Sequence, residues 1–316
     1  MRMKKNKKLK ADVVLKEFWR DNERFADLFN TILFNGKQVI EPESLIEQDT
    51  DVSNILELKE YKETLSRTRD LVKKSSHGID FVILGIENQN EIHYAMPLRT
   101  MLYDALGYLK ECGEIIKQNK RNKTAMKTAE FLSGMRQDDK IHPVVTIVIY
   151  YDEQPWNGPF SLIDMMDLPE EYKEIVCDYK MNLLQIRESG QYRFKNADVE
   201  TVFKLSREIF DKSFKKIETE YRNRDISSEL AIVIGTITDS NTLVKQALQK
   251  EGGAFNMCTA LEELKDEGRQ EGRQEGRQEE RKLLIKSMLQ NGISAEQIAK
   301  ITNLPIEEIK EIENQL

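Results

Sequence analysis

The sequence predicts an α/β core followed by a helical C-terminal extension, and three observations carry that reading. Apolar residues recur at helical spacing at Val13, Val14, Phe18, Phe25, Leu28, Phe29 and Ile32. The runs IDFVILGI and HPVVTIVIYY are rich in β-branched residues and too short for helices of ordinary length. Between them MPLRTMLYDALGYLKECGEIIKQ returns to a helical period, so the order helix, strand, strand, helix, strand defines the core.

Taken in order, the segment from Asp12 to Phe34 is one bent helix or two, because its spacing is interrupted near DNERF, and Gly36 ends it. ESLIEQDTDVSNILELKEYKETLSR is polar and at most partly helical. TRDLVKK and IDFVILGIENQ read as two strands joined by the turn-rich SSHG, a hairpin signal. Pro97 opens the next helix, whose broad apolar face is expected to hold Met96, Met101, Leu102, Ala105, Leu106 and Leu109. HPVVTIVIYY is a buried strand, and residues 170 to 250 read as mostly helical, with YKMNLLQI as a further strand. EGRQEGRQEGRQE then repeats a tetrapeptide over residues 267–279. Each Gly costs a helix about 1 kcal/mol relative to Ala. A period of four drifts about 40° per repeat around a straight helix. A close glycine-spaced helix pair and a solvated linker both remain open. The last stretch, RKLLIKSMLQNGISAEQIAKITNLPIEEIKEIENQL, gives three short amphipathic helices, with Ser294 capping the second and Pro305 opening the third. The expected division is a basic arm (1–11), a core (12–215), a helical region (216–266), the repeat (267–282) and a small helical tail (283–316).

Composition bounds the function classes. The 316 residues carry 48 Lys+Arg against 55 Asp+Glu, a net charge of −7, with 39% hydrophobic and 33% charged residues. That is too apolar for a wholly disordered chain and too charge-interrupted to span a bilayer, so no membrane association is expected. Cys112, Cys177 and Cys258 form no CxxC pair and stand among only three histidines, which argues against both a zinc cluster and a disulfide framework. The basic start is followed by ADVVLKEFWRDNERF, whose charges break any apolar signal region, so a cytoplasmic location is expected. Two stretches run against the overall acidity. Residues 1–10 carry six bases and no acid, and residues 117–140 carry seven bases against three acids. Lys120, Arg121, Lys123 and Lys127 in the second could track phosphates, or form a solvated basic loop.

The chemistry concentrates between Arg69 and Gln89. Asp70 lies in the first strand of the hairpin, and Glu87 closes the apolar run FVILGI in the second, where a buried carboxylate would have to be neutralised or meet a cation. A hard divalent metal held by two carboxylates on adjacent strands supplies that cation. Alternation puts Glu87 and Gln89 on one side of the strand, where Gln89 could orient a metal-bound water or a phosphate. The competing reading is that Glu87 and Gln89 simply leave the strand at a solvent edge. Asp152 and Glu153 in YYDEQPWNGP read as a turn anchored by Trp156, and His77, His93 and His142 as structural.

D-x16-E-x-Q across a strand hairpin, with a helix before and after it, resembles the PD-(D/E)XK nuclease superfamily. The words NERFADLFN, RTRDLVKK, GIENQNEIHYAMPLRTMLYDALGY, IVIYYDEQPWNGP and the EGRQ tail resemble, more narrowly, the Rpn family of recombination-promoting nucleases, often labelled transposases, over roughly residues 12–290. The resemblance implies a restriction-endonuclease-like core, a mixed central sheet flanked by helices. It implies a metal-dependent DNA endonuclease using Mg2+ or Mn2+, with Asp70 and Glu87 as ligands and Gln89 where Lys is usual. Gln is neutral, so slow cleavage, or a catalytically weak DNA-associated or partner-binding module of a mobile element, is the alternative. Glu23 or Asp27 could add a carboxylate from the first helix, and Arg99 with Tyr103, four residues apart, could clamp a phosphate or simply pack at the core rim.

The tail is expected to associate rather than read DNA. Residues 262–316 hold nine bases against 13 acids, and the last helix offers Glu307, Glu308, Glu311 and Glu313 against Lys310, the wrong sign for phosphate. A homo-oligomer, a dimer through this tail, is the expected assembly.

Overall fold

A computed structural model describes residues 11–48, 71–75, 78–86, 93–122, 128–250, 253–258, 265, 281–302 and 304–313. They fall into two compact units, residues 1–257 and 258–316.

The first unit opens with two helices, α1 (Ala11–Arg20) and α2 (Asn22–Phe34), and not one bent one. Asp21 breaks them: its backbone is extended and its carboxylate accepts the Arg24 N–H, an N-cap that restarts the helix. Asn35, in the left-handed region at φ 52°, closes α2 just before Gly36. A five-stranded sheet follows, in the order β1 (Ile46–Glu47), β2 (Leu71–Lys74), β3 (Asp80–Ile86), β4 (Val144–Tyr150) and β5 (Asn182–Gln185). β1, β2 and β3 pair antiparallel, whereas β3, β4 and β5 pair parallel, so the sheet is mixed. The hairpin of β2 and β3 registers Leu71 with Ile83 and Lys74 with Asp80. Its turn depends on Gly78, which has φ 82° and whose Cβ, if present, would lie 2.5 Å from the His142 ring.

Helix α3 (Met96–Arg121) crosses from β3 to β4, followed by the short α4 (Thr128–Ser133). The buried face of α3 is Met96, Pro97, Thr100, Tyr103, Asp104, Leu106 and Gly107, whereas Ala105 and Leu109, expected inside, are exposed. A buried hydrogen-bonded carboxylate turns the helix. Asp104 accepts the hydroxyls of Thr146, at 2.5 Å, and of Tyr179, and Asn182 donates to the Thr146 carbonyl at 2.8 Å. Burial and then the Asp104 carboxylate push the Tyr179 pKa up. Around this network pack Val72, Val82, Tyr103, Leu106, Val148 and Trp156.

On the other face of the sheet, Phe29 of α2 meets Phe81 edge-on at 5.0 Å, and Trp19 donates to the Tyr151 hydroxyl at 2.8 Å. Helices α5 (Ala197–Phe210), α6 (Phe214–Tyr221), α7 (Ser228–Ile237) and α8 (Asn241–Gln249) complete the unit, with a two-stranded sheet of β6 (Asp225–Ser227) and β7 (Ala254–Asn256). Arg24 ties α2 to α5 and α7 through Asp198 at 2.8 Å and Glu229 at 2.6 Å. Burial works against its charge, but the two carboxylates more than offset it and hold its pKa above the ordinary value. Residues 216–257 belong to this unit and not to a separate helical region, because the apolar α7 packs on α1 and α5.

In the second unit, helix α9 (281–290), α10 (Ala295–Thr302) and α11 (Ile306–Glu313) enclose Ile285, Ala295, Ile298, Ile309 and Ile312. Ser294 and Gln297 cap each other reciprocally, each backbone N–H reaching the other side chain at 3.3 Å, as the sequence led us to expect for Ser294. The EGRQ repeat lies outside the described residues. No helix among the described residues is long and apolar enough to cross a membrane.

Asp104→Ala is expected to lower stability by on the order of 3 kcal/mol in urea denaturation, since it strands the buried Thr146 hydroxyl and the half-buried Tyr179 hydroxyl. A loss below about 1 kcal/mol would show that the network does not anchor α3.

Candidate functional site

The hairpin has two ends. Gly78 and its turn form one. At the other, open end lie Leu71, where β2 begins, and Ile86, where β3 finishes three residues past the Leu71–Ile83 pairing and opposite Tyr150. Asp70 and Glu87 are covalently joined to those two strand ends. Asp70, Glu87 and Gln89 themselves lie outside the described residues, as do Lys123 and Lys127.

Lys73, a residue that sequence reasoning passed over, stands on β2 opposite Phe81, next to the turn end of the hairpin. Its side chain is fully buried, and its ammonium donates to the Arg20 carbonyl and to Asn22 Oδ1, both at 2.6 Å, while lying 4.7 Å from the Phe25 ring centroid. Asn22 in turn donates to the carbonyls of Pro42 and Leu45 at 3.0 Å. One cation therefore gathers β2, the junction of α1 with α2, and the lead into β1. Burial lowers its pKa from 10.5 to about 8, against the attraction of Glu47 and Asp21. The signal was present in the alternation, since Leu71 and Lys73 share a face and Leu71 is core.

The first-helix carboxylates separate. Glu23 is exposed in the first turn of α2. Asp27, one turn on, is 5% exposed, and its two oxygens accept the backbone N–H groups of Lys195 and Asn196 at 3.1 and 3.0 Å. Those amides lead into α5, so Asp27 fastens two helices together and has little capacity left for a ligand. Of the two, Glu23 is the carboxylate open to solvent.

Arg99 and Tyr103 also part company. Tyr103 is 1% exposed and its ring belongs to the core between sheet and α3, so packing is the role its surroundings give it. Arg99, in the first turns of α3, is half-buried, and its Nε is buried without a hydrogen-bond partner among the described residues. A guanidinium left in that state, on the helix that follows β3, is suited to an anion.

Lys120 and Arg121 are exposed in the last turn of α3. They stand some 25 residues from Met96, about 37 Å along an α-helix, and toward the turn end of the sheet, where Glu111 of α3 takes the His142 amide at 2.8 Å and ring at 2.5 Å. The basic stretch and the open end are therefore far apart.

Asp152 and Glu153 behave as the turn reading expects. Asp152 accepts the Gln154 N–H at 2.8 Å, and Trp156 is buried edge-on to Tyr150 at 5.2 Å, its amide donating to Gln185 at 2.7 Å. Burial and then Asp152 push the Tyr150 pKa up to about 12. Among the described residues no group of three or more His, Cys, Asp or Glu side chains could hold a metal ion, and the cysteines are free. No protein-family model, no curated protein and no solved structure matches this chain.

Lys73 gives a pH test. Below pH 8 it is protonated in both folded and unfolded chains. Between about 8 and 10.5 the unfolded chain keeps a proton that the folded chain has lost, so stability rises with pH. The contribution is at most about 1.4 kcal/mol per pH unit. Urea denaturation at pH 7.5, 8.5 and 9.5 should show this rise in the wild type relative to Lys73→Met. Parallel profiles would remove the buried ammonium from the account of the fold.

Proposed function

We propose that this chain is a metal-dependent DNA endonuclease of the PD-(D/E)XK type, similar to the recombination-promoting nucleases. The observation that carries the reading is the hairpin's open end. There β2 begins at Leu71 and β3 ends at Ile86, three residues past the Leu71–Ile83 pairing, and the helix that follows carries Arg99, whose buried Nε has no hydrogen-bond partner among the described residues.

Asp70 and Glu87 would hold Mg2+ or Mn2+, which supplies, when bound, a Lewis acid and a more acidic water. Gln89 would orient water or a phosphate oxygen by hydrogen bonding. Being neutral, it adds no positive charge to the transition state, so turnover is slow. Arg99 would contact a phosphate next to the scissile one, and Glu23, being exposed, is the first-helix carboxylate left open to a ligand. Asp27 is left to its structural work. The neutral Gln89 also favours the second reading, a DNA-associated or partner-binding module of a mobile element with weak or no turnover.

For the tail, association through a dimer is supported by the apolar side chains that its own core leaves outside. Leu283, Leu284 and Ile301 are more than half exposed. The acidic face of α11 disfavours phosphate.

Plasmid nicking is expected to require Mg2+ or Mn2+ and to vanish in Asp70→Ala and in Glu87→Ala. Gln89→Lys should keep or raise it, and Arg99→Ala should lower it by about 10- to 100-fold, as for loss of a charge-assisted phosphate contact. Wild-type cleavage in either carboxylate variant, or in excess chelator, would refute the assignment. Cleavage by none of the proteins, with DNA binding retained, would select the second reading.

A further inference from the structure

We propose that α4 is an apolar wedge for duplex DNA, flanked by phosphate-binding cations and set at the end of the molecule opposite the hairpin's open end. Taking DNA as the partner rests on the nuclease reading.

Phe131 and Leu132, on α4, are 76% and 82% exposed, the two most exposed large apolar side chains among the described residues. Scattered exposed apolar residues are ordinary, but an adjacent pair presented together marks a contact surface. The pair is held firmly. Gly134, directly after α4, donates to the Glu130 carbonyl at 2.7 Å and accepts from Asn119 of α3 at 3.1 Å. It has φ 71°, and a Cβ there would meet Ile116 at 2.9 Å, so the chain touches α3 at a point where only glycine fits. Asn119 also donates to Asp139 at 2.7 Å, closing the following loop on the same helix.

The setting is cationic. Lys117, Lys120 and Arg121 are exposed on the stretch of α3 that Asn119 joins to Gly134. Of the nearby acids, Asp139 accepts from the Arg136 amide at 2.7 Å as well as from Asn119, and Glu130 accepts from the Gln137 amide at 3.3 Å, whereas Glu114 and Asp138 are exposed. An apolar pair beside several cations matches a duplex, whose phosphates take the charges while Phe and Leu enter an unstacked base step. Along α3, the 17 to 20 residues from Arg99 to Ile116 and Asn119, which the Gly134 end of α4 touches, span about 26–30 Å, so a duplex lying along α3 would meet Arg99 and the wedge about 8 base pairs apart.

The test uses the full chain with Ca2+ in place of Mg2+ and a set of 24-base-pair duplexes carrying 2-aminopurine at successive positions. Wild-type protein should raise the fluorescence at one step or two neighbouring ones. Phe131→Ala/Leu132→Ala should abolish that rise and weaken binding by at least about fivefold, with the salt slope unchanged. Lys120→Ala/Arg121→Ala should reduce the slope of log affinity against log salt by about 2. The proposal is overturned by no fluorescence rise in the wild type, by full affinity and unstacking in the first double variant, or by an unchanged slope in the second. It is also overturned if the first double variant lowers only the mass in light scattering, which would make the pair a protein contact. Unstacking by a protein that never cuts plasmid in Mg2+ would refute the nuclease reading and leave the wedge. Cutting that depends on Asp70 but is indifferent to Phe131 and Leu132 would do the reverse.

Discussion

A lysine ammonium with no exposure to water sets the geometry of this fold. Lys73 stands on β2, with β3 on one side and only the two-residue β1 on the other. Taking a cation out of water is costly unless its protons are used, and here one goes to the backbone where α1 ends and another to Asn22, where α2 begins. The ring of Phe25 covers a further side of the charge. The consequence is positional: the start of α2, with Glu23, is fixed against β2. Arg24 and Asp27 extend the same logic outward, one binding α5 and α7 through carboxylates, the other gripping the backbone that enters α5.

The opposite face is organised by a buried charge of the other sign. Asp104 orients α3 by collecting two hydroxyls from β4 and the approach to β5, and the aromatic and branched side chains fill in around it. Because α3 is longer than the strands it covers, it reaches past the sheet at the turn end and carries its basic residues away from the strand ends where Asp70 and Glu87 attach. The molecule thus separates a proposed cutting end from a proposed gripping end and links them by one rigid helix.

Much of this was legible in the residues. The hairpin, the crossover helix opened near Pro97, the parallel strand HPVVTIVIYY, the strand in YKMNLLQI and the Ser294 cap follow from periodicity, β-branched runs and turn chemistry, signals that act over a few residues. The misplaced face of α3 has a specific cause. Ala105 and Leu109 fit an apolar stripe, but Asp104 needed the hydroxyls of Thr146 and Tyr179, 42 and 75 residues away, and hydrogen-bond demand outweighed apolar area. The role of Asp27 was hidden because it is satisfied by backbone amides that no side-chain pattern announces, whereas the alternation signals that Lys73 is buried but not that the Arg20 carbonyl and Asn22 receive it. Tyr103 looked like a ligand-facing residue because it lies one turn from Arg99, yet one turn is enough to pass from the half-buried rim to the core.

In the proposed nuclease, Asp70 and Glu87 act together on one divalent cation. Electron paramagnetic resonance of Mn2+ titrated into the full chain in the presence of a short duplex reports this without any need for turnover. One tightly bound Mn2+ per chain is expected in the wild type, with its signal lost from the bound pool in both Asp70→Asn and Glu87→Gln and retained in Asp27→Asn. Undiminished Mn2+ binding in the two carboxylate variants, or none in the wild type, would contradict it.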